Sequence, residues 1–274
     1  MDLYDCHTHS TFSFDGKAGL EEQCQAALDK GMKGICFTEH FSVDERDVSY
    51  GVMDYPAYHQ EIDKMREKFA GRIFIGRGLE IGEPHLPACR EKLAAALQDM
   101  QLDFIIGSIH NIDGVKLRNY MSGKSKEELY GAYFQEILTM AETADIDVIG
   151  HLDLVKLYGA IGGYGHYEFE KYRAVLTRIL RTAVERGIGL EINTAGWRKE
   201  AGEQYPMAEV LALYKELGGE IVTLGSDGHK TADIGAGFAQ AIEMLKETGY
   251  TNYYYFIARN AKKIRISFKN MKKL

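Results

Sequence analysis

The sequence predicts an α/β protein, a distorted (β/α)7 TIM-like barrel built as a single domain over residues 1–274, and three observations lead to it. Short apolar runs alternate with longer amphipathic segments along nearly the whole chain, as repeated βα units around a parallel sheet require. Gly31, Gly187 and Gly218 each stand between a helical pattern and the next apolar run, where a left-handed helix C-cap is expected. Histidines and carboxylates recur at the ends of the apolar runs, and a barrel delivers the ends of all its parallel strands to one mouth.

The strands are expected at Leu3–Cys6, Gly34–Thr38, Ile73–Glu80, Phe104–Ile109, Val148–His151, Gly189–Asn193 and Ile221–Ser226. Helical periodicity falls between them, at Leu20–Lys30, Tyr58–Phe69, Ala88–Met100, Lys126–Thr143, Glu168–Arg186 and Ala208–Leu217, each about as long as a crossover needs. With 45% hydrophobic and 27% charged residues, 274 residues can fill one barrel core, and no Pro/Ser-rich linker divides them. The Lys/Arg-rich stretch from Lys262 to Lys273 reads as a solvated helix end.

A net charge of −7 argues against a nucleic-acid partner, which would need a concentrated basic surface. No apolar stretch approaches the ~20 residues that span a bilayer, and the N-terminus lacks the pattern of a secretory signal, so no membrane partner and a cytoplasmic location are expected. Cys6, Cys24, Cys36 and Cys89 show no CxxC spacing and read as buried thiols. Oligomeric state, monomer or homodimer, is left open.

The chemistry lies in where the polar residues fall. The first strand runs into His7-Thr8-His9, the second into Glu39-His40, the third into Glu80, the fourth into His110, the fifth into His151 and Asp153, the sixth into Asn193, and the seventh into Asp227-Gly228-His229. On an extended segment residues i and i+2 point the same way, so His7 and His9 can reach one metal ion. Imidazole and carboxylate without thiolate suit Zn, Mn, Fe or Co. His59 and His166 belong to no strand end and are expected to bind no metal.

The runs Asp5-Cys6-His7-Thr8-His9-Ser10, Phe37-Thr38-Glu39-His40, Gly78-Leu79-Glu80, Gly107-Ser108-Ile109-His110, Gly150-His151-Leu152-Asp153 and Ser226-Asp227-Gly228-His229 together resemble the PHP (polymerase and histidinol phosphatase) family over essentially the whole chain. The segment from Glu191 to Lys199, followed by Tyr205-Pro206, resembles its histidinol-phosphate phosphatase branch. That resemblance implies three divalent metal ions: one held by His7, His9, Glu80 and Asp227, a second by Glu80, His110 and His151, and a third by Asp15, His40 and His229. Many relatives carry a histidine where this chain has Asp15.

The resemblance also implies hydrolysis of L-histidinol phosphate, a small-molecule phosphomonoester. Cations in one pocket lower the pKa of a bridging water towards about 7 and neutralise phosphoryl charge. Arg198, just beyond the sixth strand, is expected to hold the phosphate bidentately, with Lys156 and Arg118 as further candidates and His85 near enough to touch substrate. Asp227, His229 or Asp15 would protonate the leaving alkoxide. The segments Asp44–Tyr55 and Tyr158–Tyr167 read either as lids or as plain connections. Two other functions stay open: the same metals acting on another ester (a nucleotide, a nucleic-acid end or phosphotyrosine), and a metal-binding module without turnover.

Overall fold

Residues 2–267 are described by a computed structural model. In chain order the elements are β1 (Tyr4–Thr8), α1 (Leu20–Asp29), β2 (Gly34–Phe41), α2 (Tyr55–Lys68), β3 (Phe74–Gly82), α3 (Arg90–Leu97) and β4 (Phe104–Ser108). A short hairpin of β5 (Asn111–Ile112) and β6 (Val115–Lys116) leads through α4 (Leu117–Tyr120) to α5 (Lys126–Thr143). Then come β7 (Val148–Ile149), α6 (Val155–Ile161), α7 (Phe169–Arg186), β8 (Gly189–Asn193), α8 (Ala208–Glu216), β9 (Val222–Gly225), α9 (Phe238–Glu247), β10 (Asn252–Ile257) and β11 (Asn260–Arg265).

Seven strands pair in parallel in the order β1-β2-β3-β4-β7-β8-β9. The sheet nearly closes on itself, because a parallel bridge joins Thr8 to Gly228 and the Asp227 amide donates to the His7 carbonyl at 2.8 Å. Buried on both faces, the strands read as continuous apolar runs. Helices cover the outside. In α7, Leu176, Ile179, Leu180 and Ala183 follow the i, i+3, i+4, i+7 spacing and all are buried. Truncating Leu180 to Ala would cost ~2–5 kcal/mol. The left-handed Gly187 ends α7 one residue before the chain turns into β8, while Ser125 and Glu128 form a capping box that starts α5.

The barrel and its seven strands agree with expectation, but several boundaries shift. β1 runs to Thr8, β2 to Phe41 and β3 to Gly82, because pairing with the neighbouring strand continues past the last apolar residue into the polar rim. The fifth strand is only Val148–Ile149, since Gly150 and His151 have already left the ladder. The stretch that begins at Lys262 is not a helix end: Lys262, Lys263 and Arg265 lie on β11, antiparallel to β10, and its part beyond residue 267 lies outside the described residues. Ala258 and Arg259, both with positive φ, make the tight turn of that hairpin.

This hairpin closes the floor of the barrel. Phe256 stacks on Phe104 at 4.8 Å between ring centroids and joins Cys6, Cys36, Ile106 and Val148 in a small apolar cluster. All four cysteines are buried and free, as expected. Among the described residues no helix is long and apolar enough to cross a membrane.

Candidate metal centre

The extended ends of the strands place the site. His7 and His9 leave β1 two residues apart, with Nε2 atoms 3.0 Å from each other and 3.4 and 3.3 Å from Glu80 Oε2 at the end of β3. His40, at the end of β2, turns Nδ1 to Glu80 Oε2 at 3.0 Å. The other Glu80 oxygen, Oε1, lies 2.7 Å from His151 Nε2 and 3.3 Å from His110 Nε2. One buried carboxylate therefore faces five imidazoles. Asp227 Oδ1 lies 3.6 Å from His9 Nε2 and 3.5 Å from His229 Nδ1, and Asp15 lies 3.6 Å from His40 Nε2 and 3.2 Å from His229 Nε2. All nine predicted ligands converge.

Two buried acids behind the cluster orient it. Glu191, on β8, takes a 2.6 Å hydrogen bond from His7 Nδ1 through Oε1 and a 2.8 Å bond from the His151 amide through Oε2. A Cβ on Gly225 would stand 2.1 Å from Glu191 Oε1, so only glycine leaves room for this acid between β8 and β9. Glu39 accepts from the Ser10 and Ser13 hydroxyls, each at 2.5 Å, and Ser13 Oγ in turn faces His9 Nδ1 at 3.3 Å. Neither acid was given a role by the sequence reading. The signal was present, since a charged residue inside an apolar strand must find buried partners.

These contacts fix the tautomers. His7 donates through Nδ1 to Glu191, and because Ser13 Oγ spends its hydrogen on Glu39, His9 must donate to it through Nδ1. Both Nε2 lone pairs then point at each other across 3.0 Å. A positive centre has to lie between them: either a proton on His7 or a divalent cation that displaces it. Burial lowers the His7 pKa, but Glu191 and Glu80 outweigh it and hold it well above the ordinary value. His9 is pushed well down by burial and by the neighbouring His40 and His229. Burial raises Glu80, yet the His7, His110 and His40 charges hold it well below the usual carboxylate range.

The residues fit a polynuclear metal site. Three compact triads have all their donor atoms within 4.8 Å: His7, His9 and Glu80; His40, Glu80 and His110; and His9, His40 and His229. Buried and without a hydrogen-bond partner, Asp15 Oδ1 faces the third triad. Asp227 holds a left-handed backbone, φ 51°, a conformation retained where the surroundings fix a functional side chain.

The cavity over the cluster has a volume of about 300 Å³ and is lined by Asp15, His40, Glu80, His110, His151, Asp227 and His229, with Lys116, Arg118 and Lys199 as its cations. Arg118 stands where a phosphate ligand was expected. Arg198 does not line it: its guanidinium turns back to donate to the Ser226 and Thr194 carbonyls and lies 3.6 Å from Asp233. Its chain neighbour Lys199 enters the cavity instead, 3.8 Å from Asp227.

Lys156 is also turned away. It is fully buried against Glu203, the Gln204 carbonyl and Asp153, because the first turn of α6 points it into the interior. His85 is held by Glu136 at 2.6 Å, outside the cavity lining. Asp153 and Asn193, both at strand ends, serve the backbone of Met207 and Ala195. His59 pairs with Asp63, and His166 with Glu203 and the Ala201 carbonyl, both away from the cluster. Of the two suspected lids, the first contributes Asp47, Val48 and Ser49 to the cavity wall and the second contributes Tyr158.

Comparisons with known proteins agree with this geometry. The family model described as PHP domain matches residues 5–195. The chain is 31% identical over 255 residues to a probable histidinol-phosphatase of Deinococcus radiodurans, covering 90% of this chain and 94% of that protein. It is 30% identical over 277 residues to the histidinol-phosphatase of Lactococcus lactis subsp. lactis, covering 97% and 100%. The crystal structure of histidinol phosphate phosphatase from Lactococcus lactis, complexed with Zn, L-histidinol and phosphate, superposes with a TM-score of 0.81 at 28% identity, covering 95% of this chain and 98% of that one. The chain belongs to the PHP domain family.

Proposed function

We propose that this protein is a histidinol-phosphatase, a phosphomonoester hydrolase that converts L-histidinol phosphate to L-histidinol and phosphate. The observation that carries the hydrolytic centre is the facing pair of His7 and His9 Nε2 atoms beside Glu80, an arrangement suited to a divalent cation in place of a proton. The substrate is supported by near-full-length relatives bearing that name and by a related structure that holds L-histidinol and phosphate.

Three divalent cations, drawn from Zn, Mn, Fe and Co, would be held by the three ligand groups: His7, His9, Glu80 and Asp227; Glu80, His110 and His151; and Asp15, His40 and His229. When bound, they lower the pKa of a water molecule and neutralise charge on the phosphoryl oxygens. Glu80 would belong to two of these groups, since its two oxygens face different imidazoles. Arg118, Lys199 and Lys116 hold the non-bridging oxygens of the ester from the cavity wall. Asp227 takes the proton of the attacking water and returns it to the leaving alkoxide, with His229 and Asp15 completing the same wall. Glu191 and Glu39 keep the imidazoles in the donating tautomer.

Elemental analysis of protein purified without added metal, paired with phosphate release from a panel of phosphomonoesters, tests this. Bound divalent metal with highest kcat/KM on histidinol phosphate is the expected result. Metal-free protein that turns over substrate, or a preference for nucleotides, would overturn it.

A further inference from the structure

Resting on the reading of the substrate as an amino-alcohol phosphate, we propose that Asp47 is the specificity-determining residue that receives the substrate's ammonium group. Histidinol phosphate differs from a plain alkyl phosphate in carrying an ammonium two carbons from the ester oxygen, and a site that selects it needs an acceptor at that distance. Four carboxylates line the cavity; Asp15, Glu80 and Asp227 lie within ion-pair distance of the cluster's imidazoles, and Asp47 does not. Among the described residues no lysine, arginine or histidine side chain comes within ion-pair distance of it, and His110 acts on it only through its longer-range field.

Its direction is fixed. Oδ1 accepts from the Ser49 amide at 2.8 Å and the Ser49 hydroxyl at 2.5 Å, and Oδ2 accepts from Asn111 Nδ2 at 2.8 Å. The same Asn111 nitrogen gives its other hydrogen to Glu83 Oε2 at 2.8 Å, while Glu83 Oε1 takes the backbone amides of His110 and Asn111. A carboxylate offers about four acceptor positions, and these three donors leave one on Oδ2.

The Glu83–Asn111 clamp ties Asp47 to the residue beside His110, whose ring faces Glu80, so the carboxylate is held on the wall of the same cavity as the cluster. Charge on the wall is thereby divided: Lys116, Arg118 and Lys199 suit the phosphate, and Asp47 suits the ammonium. The rigid clamp matters because a charged pair held without further ordering loses less entropy on binding.

The test compares matched esters on the metal-loaded enzyme: ethanolamine phosphate against ethyl phosphate, and histidinol phosphate against 3-(imidazol-4-yl)propyl phosphate, which lacks the amine. A hydrogen-bonded charge of this kind gives a preference of about 10- to 100-fold in kcat/KM for the amine-bearing member of each pair. Asp47→Asn is expected to bring both ratios close to one, chiefly through KM; Asp47→Ser takes its place should the amide disturb the loop, as circular dichroism and metal content would reveal.

Ratios that survive in the variant, or a wild-type enzyme indifferent to the amine, overturn the proposal. Should the imidazole-bearing esters gain nothing over the ethyl pair, the histidinol-phosphate reading fails, and the ethanolamine pair still decides the role of Asp47.

Discussion

The two ends of the barrel both bury charge, and they settle it differently. At the floor three arginines each meet a carboxylate. Arg66 binds Asp103 at 2.5 Å, Arg77 binds Asp63, and Arg259 forks onto Asp145 and Asp147 while closing the β10–β11 turn. At the rim six imidazoles crowd three carboxylates, nitrogen faces nitrogen, and Asp15 Oδ1 is buried without a partner. Buried polar groups are normally satisfied. The floor's charges are paired as folded, with only Arg77 Nε buried without a hydrogen bond among its three arginines, whereas the rim sets like groups against each other, and that difference separates structural charge from functional charge.

The largest effect expected from breaking this contrast is at Glu80. Glu80→Gln removes the negative charge shared by five imidazoles while nearly preserving shape. It should lower kcat/KM by at least ~1000-fold, the several kcal/mol that metal catalysis supplies, together with metal content read by elemental analysis. Full occupancy with normal turnover would place the rim in the same class as the floor.

Metal removal comes next. A ligand that binds only the folded state at a thousand times its Kd adds ~4 kcal/mol, so dialysis against chelator should lower Tm by about 10 °C for a chain of this size. Because the cation displaces a proton held by His7 near Glu191 and Glu80, adding Zn back to the stripped protein at pH 7 should release protons. Calorimetry in buffers of different ionisation enthalpy counts them, and a count of zero would contradict the tautomer assignment.

The floor should respond in stability alone. Arg259→Ala strands Asp147 among buried groups and is expected to cost ~2–3 kcal/mol in urea unfolding, less than a fully buried pair because Arg259 is partly exposed, with kcat/KM nearly unchanged. Burial pushes Asp147 up to about 6 against the pull of Arg259. A raised carboxyl favours the protonated folded state, so this contribution is whole below the ordinary value of 3.8 and is lost as pH rises through about 6. Without Arg259 the loss should steepen; a flat profile would show that the turn, and not the charge, holds the floor.

How much of this was legible depended on the range of the interaction. The strands, the helices α1, α2, α5, α7 and α8, and eight of the nine candidate ligands could be read because each follows from local periodicity or from the rule that parallel strands end at one mouth, whereas Asp15, in a loop, was reached only through the family resemblance. The hairpin β10–β11 was missed because Lys262, Lys263 and Arg265 look like a solvated tail until β11 is seen paired with β10, whose Tyr253, Tyr254 and Phe256 are buried. Substrate contacts were harder. Whether Arg198 or Lys199 enters the cavity is decided by a short 3-10 turn at Ala195–Arg198, and one residue of rotation swaps their directions. Lys156 was misjudged for the same reason, since proximity to His151 in sequence says nothing about which way the first turn of α6 faces.

That swap supplies the smallest prediction. Lys199→Ala removes a cation from the cavity wall, the proposed phosphate contact, and should lower kcat/KM about 10-fold, the value of one charge-assisted hydrogen bond. Arg198→Ala removes hydrogen bonds to the Thr194 and Ser226 carbonyls and should cost ~1 kcal/mol of stability with a smaller change in kcat/KM. Steady-state kinetics and thermal unfolding of the two variants side by side separate these roles. If Arg198→Ala proves the more damaging to turnover, the guanidinium must leave its carbonyls when substrate binds, and the rim would then rearrange in a way the floor does not.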